Sequence, residues 1–584
     1  MCSHTELKVQ KRVFKLITGR TLTQGTSMES EGKFSDRYRK SVAVIELNPE
    51  DIKRLDIKDK VKVTSPYGSL VLMVKPSTEV PPGTAFIPMG PWANVLVEPA
   101  TESTGMPKLK GVEVIIEPTE EEVTSLKEIL KMYNVKYFEY KPLERPLKPG
   151  PKKVAENVPC PFCGDICDHL TIELEGEKIV RNIGGCALSV SKFLNYHKDR
   201  ILKPVIRDEA GTLKEVSLDE AIEKAAKILA NAKYPLLYGW SSTCNEAMEL
   251  GVELAEVTRG VIDNTATVCH GPTTLGAQEV GTARATLGLI KHLADLIIFW
   301  GCNPVHAHPN HIARWVISEG KYVKGRKERK VVVIDVRKTT TANMADLFIQ
   351  VEPGKDFELI TALRMAVKDL EIEAPVIAGV PREKILELAE MMRSAKYSVI
   401  FVGMGLTMTG AKHRNLQELI KLAHDLNEWT RFAVIPMRGH FNVNGTNHVM
   451  LWLTGYPYAI DFSRGFPRMI PGVTTTIDLL VNGDVDAALI VASDPIAHLP
   501  QKAVEHLARI PVIVIDAKWS LTTTVADVII PAGLVGIECE GTAYRMDDVP
   551  IRMKKLVDPP PGVLCDKEIL AKLLEKVKEL KGII

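Results

Sequence analysis

Two groups of residues carry the chemistry in this sequence. Cys269 and His270 are neighbours in Asn264-Thr-Ala-Thr-Val-Cys-His-Gly271. A thiol beside an imidazole can coordinate a metal or act chemically. Upstream, Cys160-Pro-Phe-Cys163-Gly-Asp-Ile-Cys167 places three thiols in one short loop, and Cys186 follows in Gly184-Gly-Cys186. Four thiolates suit a [4Fe–4S] cluster. Structural zinc is the rival, but it usually joins two short Cys-x-x-Cys knuckles, whereas here three ligands are local and one is remote. Ordinary buried cysteines fit the spacing least. Together the two groups point to a redox enzyme that moves electrons between a buried catalytic centre and an iron–sulfur cluster. Cys2, Cys244, Cys302, Cys539 and Cys565 are scattered and receive no role.

Elements that position these groups follow from pattern. With 584 residues the chain is long enough for several subdomains. Its 45% apolar and 25% charged content is that of a soluble globular protein, and a net charge of +1 gives no argument for nucleic acid or anionic membrane. No apolar run reaches the roughly 18 residues of a membrane span; Leu293–Trp300 and Ala487–Ala492 read as buried strands. Met1–Gln10 has neither an apolar core nor twin arginines, so no export signal is expected. Ten cysteines in an unexported chain are expected to bind metal rather than form disulfides, in a reducing cytoplasm.

Residues 1–118 read as a β-rich unit, preferably a small barrel. Val42–Leu47, Lys60–Thr64 and Leu70–Val74 are β-prone, separated by turns such as Ser65-Pro-Tyr-Gly68 and Pro81-Pro-Gly83. Thr119-Glu-Glu-Glu122 reads as a capping box opening a helix to about Tyr133. Four prolines in Lys141–Pro151 predict an extended, semi-rigid connector, so 119–154 is assigned to helix and linker. The cysteine subdomain is placed at 155–215, and an α/β region of alternating strands and helices at 216–584. Ser217-Leu-Asp-Glu220 predicts a capped helix to about Ala232, and Tyr234–Gly239 a strand.

An internal repeat lies in this last region. Leu296-Ile-Ile-Phe-Trp-Gly-Cys-Asn-Pro304 parallels Ala488-Leu-Ile-Val-Ala-Ser-Asp-Pro495. Each is followed by an apolar strand ending in aspartate, Asp335 and Asp516, and then a Thr-rich loop leading to Asp346 and Asp527, eleven positions on in both cases. Each half offers a strand, a tight turn and an acidic strand end, the place where α/β folds bind nucleotides. Strand-end aspartates that merely cap helices are the alternative, and the duplication argues against it.

With these motifs in view, the chain resembles the molybdopterin oxidoreductases of the dimethyl-sulfoxide-reductase superfamily, and among them formylmethanofuran dehydrogenase. The region from about 155 resembles the B-type component of that enzyme, through Cys160–Cys186, Thr267-Val-Cys-His-Gly271 and Pro436-Met-Arg-Gly-His440. Residues 1–118 resemble its D-type component, the small pterin-dinucleotide-binding one, through Thr18-Gly-Arg-Thr-Leu-Thr-Gln-Gly25, Pro91-Trp-Ala-Asn94 and Thr104-Gly-Met-Pro107. Relatives in the wider superfamily carry the barrel at the C-terminus, so the order is permuted and the Pro-rich stretch marks a fusion joint. The resemblance implies an α/β molybdopterin oxidoreductase fold with mostly parallel sheets and an N-terminal, double-psi-like β-barrel. It implies tungsten or molybdenum held by two pterin guanine dinucleotides and Cys269. Gly301, Asn303, Asp335, Arg337 and Thr339 would line one dinucleotide site. Ser493, Asp494, Asp516, Gly541 and Thr542 would line the other, with Gly19, Arg20, Thr21, Gln24 and Asn94 added by the barrel.

The reaction so implied is reversible two-electron reduction of carbon dioxide to formate, with formate passed to a separate amidohydrolase subunit that formylates methanofuran. His270 would shuttle a proton, Arg438 would anchor the carboxylate, Lys192 would lie between cluster and pterin, and the cluster would relay electrons from further iron–sulfur subunits and a ferredoxin-type donor. His306 and His308 are read as supporting residues, not as a hydrolase site. The alternatives are a free-standing formate dehydrogenase or another molybdopterin oxidoreductase, and a non-catalytic electron-transfer or scaffold subunit.

Overall fold

The computed structural model describes residues 12–138 and 140–583; Met1–Gln10, with Cys2, lies outside them. The first unit is a closed six-stranded barrel. Around it run Val13–Gly19, Thr84–Pro88, Val44–Leu47, Ser69–Pro76, Lys60–Thr64 and Val112–Pro118, the last pairing back to the first. Closure removes every sheet edge. Alternation fills the interior: Val61 and Val63 on one strand and Val112, Val114 and Ile116 on another are buried.

The expected helix from Thr119 begins later, at Leu126, and ends at Met132. Three consecutive glutamates do not start it; they pair across the barrel surface with Lys58, Lys60 and Lys62. The cap is Ser125, whose Oγ accepts the Glu128 N–H while Glu128 accepts the Ser125 N–H, immediately before the buried Leu126, Ile129 and Leu130. The proline-rich stretch is irregular and pinned rather than a free spacer. Leu143 bridges Arg200, and Arg145 is buried against Glu538.

Beyond a three-stranded antiparallel sheet (Lys152–Val158, Leu170–Glu175, Lys178–Ile183), two larger sheets organise the chain. One has nine strands, with Val528–Pro531, Val512–Asp516, Ala487–Val491, Pro235–Gly239 and Val261–Asn264 parallel at its centre. The other has five strands, all parallel: Leu347–Gln350, Lys330–Asp335, Leu296–Trp300, Ser398–Val402 and Phe432–Pro436. The central strands are buried along their length, as sheets covered by helices on both faces must be. The Ser217 capping box and its helix Leu218–Asn231 form as expected.

The repeat puts one copy in each sheet. In both, Asp346 or Asp527 staples neighbouring parallel strands. Its carboxylate accepts the N–H of Val331 (2.7 Å) or Val512 (2.8 Å), and its own N–H donates to the carbonyl of that residue (2.8 Å in each copy). Asn303 and Asp494 sit at matching turns, accepting from the hydroxyls of Thr341 (2.5 Å) and Thr522 (2.6 Å). The preceding Gly301 and Ala492 both have positive φ, 61° and 47°.

The expectation that the cysteines form no disulfide also fails. Cys539 and Cys565 form a disulfide. They lie 26 residues apart in sequence but meet where the loop after strand Val528–Pro531 reaches the start of the last helix, Asp566–Leu580. Among the described residues no helix is long and apolar enough to cross a membrane.

Candidate functional site

A cavity of about 430 Å³ lies where the barrel meets the two large sheets. Its body walls come from the carboxyl ends of their parallel strands: Thr265, Val268, Cys269, Ala492 to Asp494 and Asp516 to Ser520 from the nine-stranded sheet; Gly301 to Asn303, Asp335 to Arg337, Thr339, Gly403 to Gly405, Met437 and Gly439 to Phe441 from the five-stranded one, with Arg438, like His270, behind the wall. Strand ends at which chains diverge are where such folds bind ligands. Close approach of two turns there requires glycine: a Cβ on Gly403 would overlap the Gly301 carbonyl oxygen.

Cys269 is a free, buried thiol in this wall. It ends the 3₁₀ turn Thr265–Val268 and precedes helix Gly271–Val280, so the fold fixes its backbone from both sides; Thr407 Oγ1 also donates to its carbonyl at 2.8 Å. Burial pushes its thiol up, opposed by the Arg438 guanidinium. Arg438 is itself buried, with Nε and Nη1 lacking any protein acceptor. A buried cation with two idle donors is costly unless a polar ligand meets it.

His270 is not among the wall residues. Its ring bonds Thr273 Oγ1 (3.0 Å) and the Met437 carbonyl (3.2 Å). Burial, then Arg438, lowers its pKa to about 3. The imidazoles that do line the cavity are His306, His308, His440 and His498. Burial, followed by nearby cations including Arg20, lowers both His440 and His498 to about 3.

The other predicted residues divide clearly. Gly19, Arg20, Thr21, Gln24, Lys192, Gly301, Asn303, Asp335, Arg337, Thr339, Ser493, Asp494 and Asp516 all line the cavity. Asn94 does not; its amide ties the barrel to the Ala497 carbonyl at 3.1 Å. Gly541 and Thr542 are also elsewhere, packed on Cys244 and bonded to Glu246.

The repeat also supplies residues that the sequence reading passed over. Carrying the register from Asp335 to Asp516 pairs Arg337 with Lys518 and Thr339 with Ser520, and all four line the cavity. Thr339 and Ser520 are the N-caps of equivalent 3₁₀ turns, and both hydroxyls are buried without a protein partner. The barrel answers each half. Glu79 pairs with Arg337 (3.1 Å), Glu29 with Lys518 (3.9 Å), and Lys33 with Asp494 (2.6 Å). Burial opposes ionisation of Asp494, but Lys33 and the Thr522 and Leu521 donors hold its carboxyl below the usual range.

The four clustered cysteines are free thiols; Cys160, Cys163 and Cys167 are buried and Cys186 half-buried. Burial, then Asp165 and the other thiols, drives Cys163 well up. Among the described residues no three metal-binding side chains converge as on a single ion; the thiols are near enough to raise one another's pKa. Their loop abuts the site, since a Cβ on Gly164 would lie 2.6 Å from the Arg438 carbonyl oxygen. Pro161, Phe162, Leu188 and Lys192 form the wall between thiols and cavity, with the Lys192 ammonium 6.0 Å from the Phe162 ring and 3.3 Å from Glu29.

These features fit a large polar ligand with sulfur donors. Besides Arg438, the unpartnered buried atoms include Gln24 Oε1, Asn303 Nδ2, Thr339 Oγ1 and Ser520 Oγ on the cavity wall, spread over the barrel and both sheets. A pterin dinucleotide in each half, with a metal at the thiol of Cys269, would satisfy them.

Comparison with known proteins agrees. Residues 14–113 match the molydopterin dinucleotide binding domain and residues 200–576 match molybdopterin oxidoreductase. Over 432 residues, 73% of this chain and 99% of the relative, the sequence is 49% identical to the B-type component of tungsten-containing formylmethanofuran dehydrogenase 2 of Methanocaldococcus jannaschii. Over 132 residues, 22% of this chain and 96% of the relative, it is 47% identical to protein FwdD of the same organism. A chain of the formyltransferase/hydrolase complex of Methylorubrum extorquens shares the fold, with TM-score 0.53 and 23% identity, covering 65% of this chain and all of that one. The chain therefore belongs to the molybdopterin oxidoreductases, as a formylmethanofuran dehydrogenase in which a FwdD-like barrel and a B-type body share one polypeptide.

Proposed function

We propose that this chain interconverts carbon dioxide and formate as the redox component of a multisubunit formylmethanofuran dehydrogenase. The observation that carries the reading is the buried Cys269 thiol on the cavity wall beside an Arg438 guanidinium with two unused donors. Cys269 would hold tungsten or molybdenum, with Arg20, Arg337, Lys518, Thr339 and Ser520 holding the anionic and hydroxyl parts of two pterin dinucleotides. When bound, that group supplies the two-electron redox chemistry. Arg438 orients the carboxylate through its free Nε and Nη1. His270, held by Thr273 and Met437, fixes the Cys269 turn against the Met437–Gly439 segment.

Cys160, Cys163, Cys167 and Cys186 would carry a [4Fe–4S] cluster. Three local ligands and one remote one favour it over a lone zinc ion, which usually joins two short Cys-x-x-Cys knuckles. Electrons would enter there from further iron–sulfur subunits fed by a ferredoxin-type donor, and formate would leave to an amidohydrolase subunit, in the cytoplasm. The unit boundaries proposed are 1–118, 119–154, 155–215 and 216–584. Dye-linked formate oxidation by the native complex tests the reading. Cys269→Ala should abolish turnover with the fold intact; an unchanged rate would overturn it. Strong formate oxidation by the isolated chain would favour a free-standing formate dehydrogenase.

A further inference from the structure

The Cys539–Cys565 bridge lies outside the chemistry described above, yet residues on both sides of it reach that chemistry. Before Cys539, Gly533, Leu534 and Val535 line the cavity; after Cys565, Asp566 lines it too. The Cys539 sulfur is packed directly on this wall, since a Cβ on Gly533 would stand 2.5 Å from it. Ile537, two residues before the bridge, is buried in the same apolar group as Cys160 and Cys167, together with Val557 from inside the bridged loop. The Ile537 carbonyl accepts the N–H groups of Leu556 (2.8 Å) and Val557 (3.1 Å). The segment closed by the bridge, through Leu556 and Val557, therefore packs on the apolar group that holds Cys160 and Cys167.

The same loop is poised between ties. Glu538 is held by the guanidiniums of Arg145 and Arg200. Strands Gly541–Tyr544 and Pro550–Met553 pair inside the bridged loop, while at its base Val535 meets Cys539 and Ala532 meets Leu564 in isolated bridges. The two cysteines differ in burial, because Cys539 is 1% exposed whereas Cys565 is half-buried at the start of the final helix. The less buried Cys565 is therefore the side of the bridge that an external thiolate would attack.

We propose that Cys539–Cys565 is a thiol–disulfide exchange site, reduced by a dithiol protein, whose opening loosens the apolar packing around Cys160 and Cys167 and the adjoining cavity wall. A thiolate of the reductant attacks Sγ of Cys565, the Cys539–Cys565 bond breaks, and Cys539 leaves as thiolate and takes a proton. The second reductant thiol then attacks the mixed disulfide and frees Cys565. Two electrons and two protons pass to the bridge, and the dithiol is oxidised to its disulfide. Loss of the cross-link lowers the cost of locally opening residues 540–564, because the opened loop is no longer tied at both ends. The exchange itself stands apart from the proposed cofactors; only its consequence for iron rests on the cluster reading.

The test uses the anaerobically purified native complex, incubated with a reduced thioredoxin-type protein, acid-quenched and differentially alkylated. Mass spectrometry should find Cys539 and Cys565 bonded before incubation and alkylated after it. Hydrogen exchange across 533–540 and 554–557 should quicken at least tenfold and revert on re-oxidation, and iron release to a chelator should rise at least fivefold. The double variant C539S/C565S should exchange fast with or without reductant; if it does not fold, the wild-type reduction series decides alone. Absence of the bond in the native protein would overturn the proposal, as would resistance to the reductant or reduction without a change in exchange. Faster hydrogen exchange without iron release would count against the cluster reading and not against the exchange site.

Discussion

Replacing Glu538 by glutamine tests the packing argument most severely. Glu538 is fully buried and meets two buried arginines. Arg200 grips it through both nitrogens, at 2.6 and 2.8 Å, while Arg145 from the linker binds the same Oε1. Glu538 Oε2 also accepts the Leu534 N–H at 2.9 Å. Arg145 keeps one other carboxylate, Glu177 at 3.0 Å, but Arg200 pairs otherwise only with backbone carbonyls. Glu538→Gln preserves shape and removes the charge that compensates Arg200. Leaving a buried charge uncompensated costs roughly 3–5 kcal/mol. The thermal midpoint should therefore fall, and segments 141–147 and 533–540 should lose hydrogen-exchange protection together, because the one carboxylate joins linker, body and loop. Arg145→Met in the same background should cost far less than in wild type, since the two act through one partner. A loss below about 1 kcal/mol for Glu538→Gln, or additive losses in the double variant, would refute the reasoning.

Further predictions follow from the cavity and its supports. Gly403→Ala should cost about 1–3 kcal/mol from overpacking and reduce cofactor loading, because the added methyl overlaps the Gly301 carbonyl oxygen; unchanged melting and metal content would refute this. Asp494→Asn removes the partner of Lys33 and should cost about 1.5–3 kcal/mol near neutral pH. Since the native carboxyl lies below its ordinary value of 3.8, this contribution is present above that value and lost as pH falls through the native pKa, so a penalty undiminished in strong acid would contradict it. Burial raises Asp199 to about 6 despite its Tyr140 hydrogen bond. The native state then binds the extra proton between about pH 4 and 6, and stability falls across that window as pH rises, by up to roughly 3 kcal/mol. Asp199→Asn should accordingly raise the melting temperature at pH 7 and leave it unchanged near pH 4.

Much of the site was legible because its signals are local or periodic. The eleven-residue spacing from Asp335 to Asp346 and from Asp516 to Asp527 reflects a physical unit, a strand, a 3₁₀ turn and a carboxylate that staples the neighbouring strand. Followed one register further, it would also have given Lys518 and Ser520 from Arg337 and Thr339. What escaped the sequence depends on long-range meetings. Arg145 and Glu538 are separated by 393 positions, and nothing in either neighbourhood announces the other. Cys539 and Cys565 sit among turn residues without a shared motif, so a composition argument about cysteines could not find their bond. The helix predicted at Thr119 shows a local rule misapplied. Two Ser/Thr-x-x-Glu patterns compete there, and the one followed by buried leucines prevails. At His270 adjacency did not give the wall, since Cys269 lines the cavity and His270 does not, whereas His440, beyond strand Phe432–Pro436, and His498, ending helix Pro495–His498, do.

The most direct test of the central claim is metal analysis of the anaerobically purified native complex, per copy of this chain, for wild type and Cys269→Ala. The account predicts tungsten or molybdenum near one per chain and at least about four irons in wild type, with the heavy metal lost and the iron kept in the variant. Iron without tungsten or molybdenum in the wild-type protein would contradict it and return Cys269 to the standing of an ordinary buried thiol.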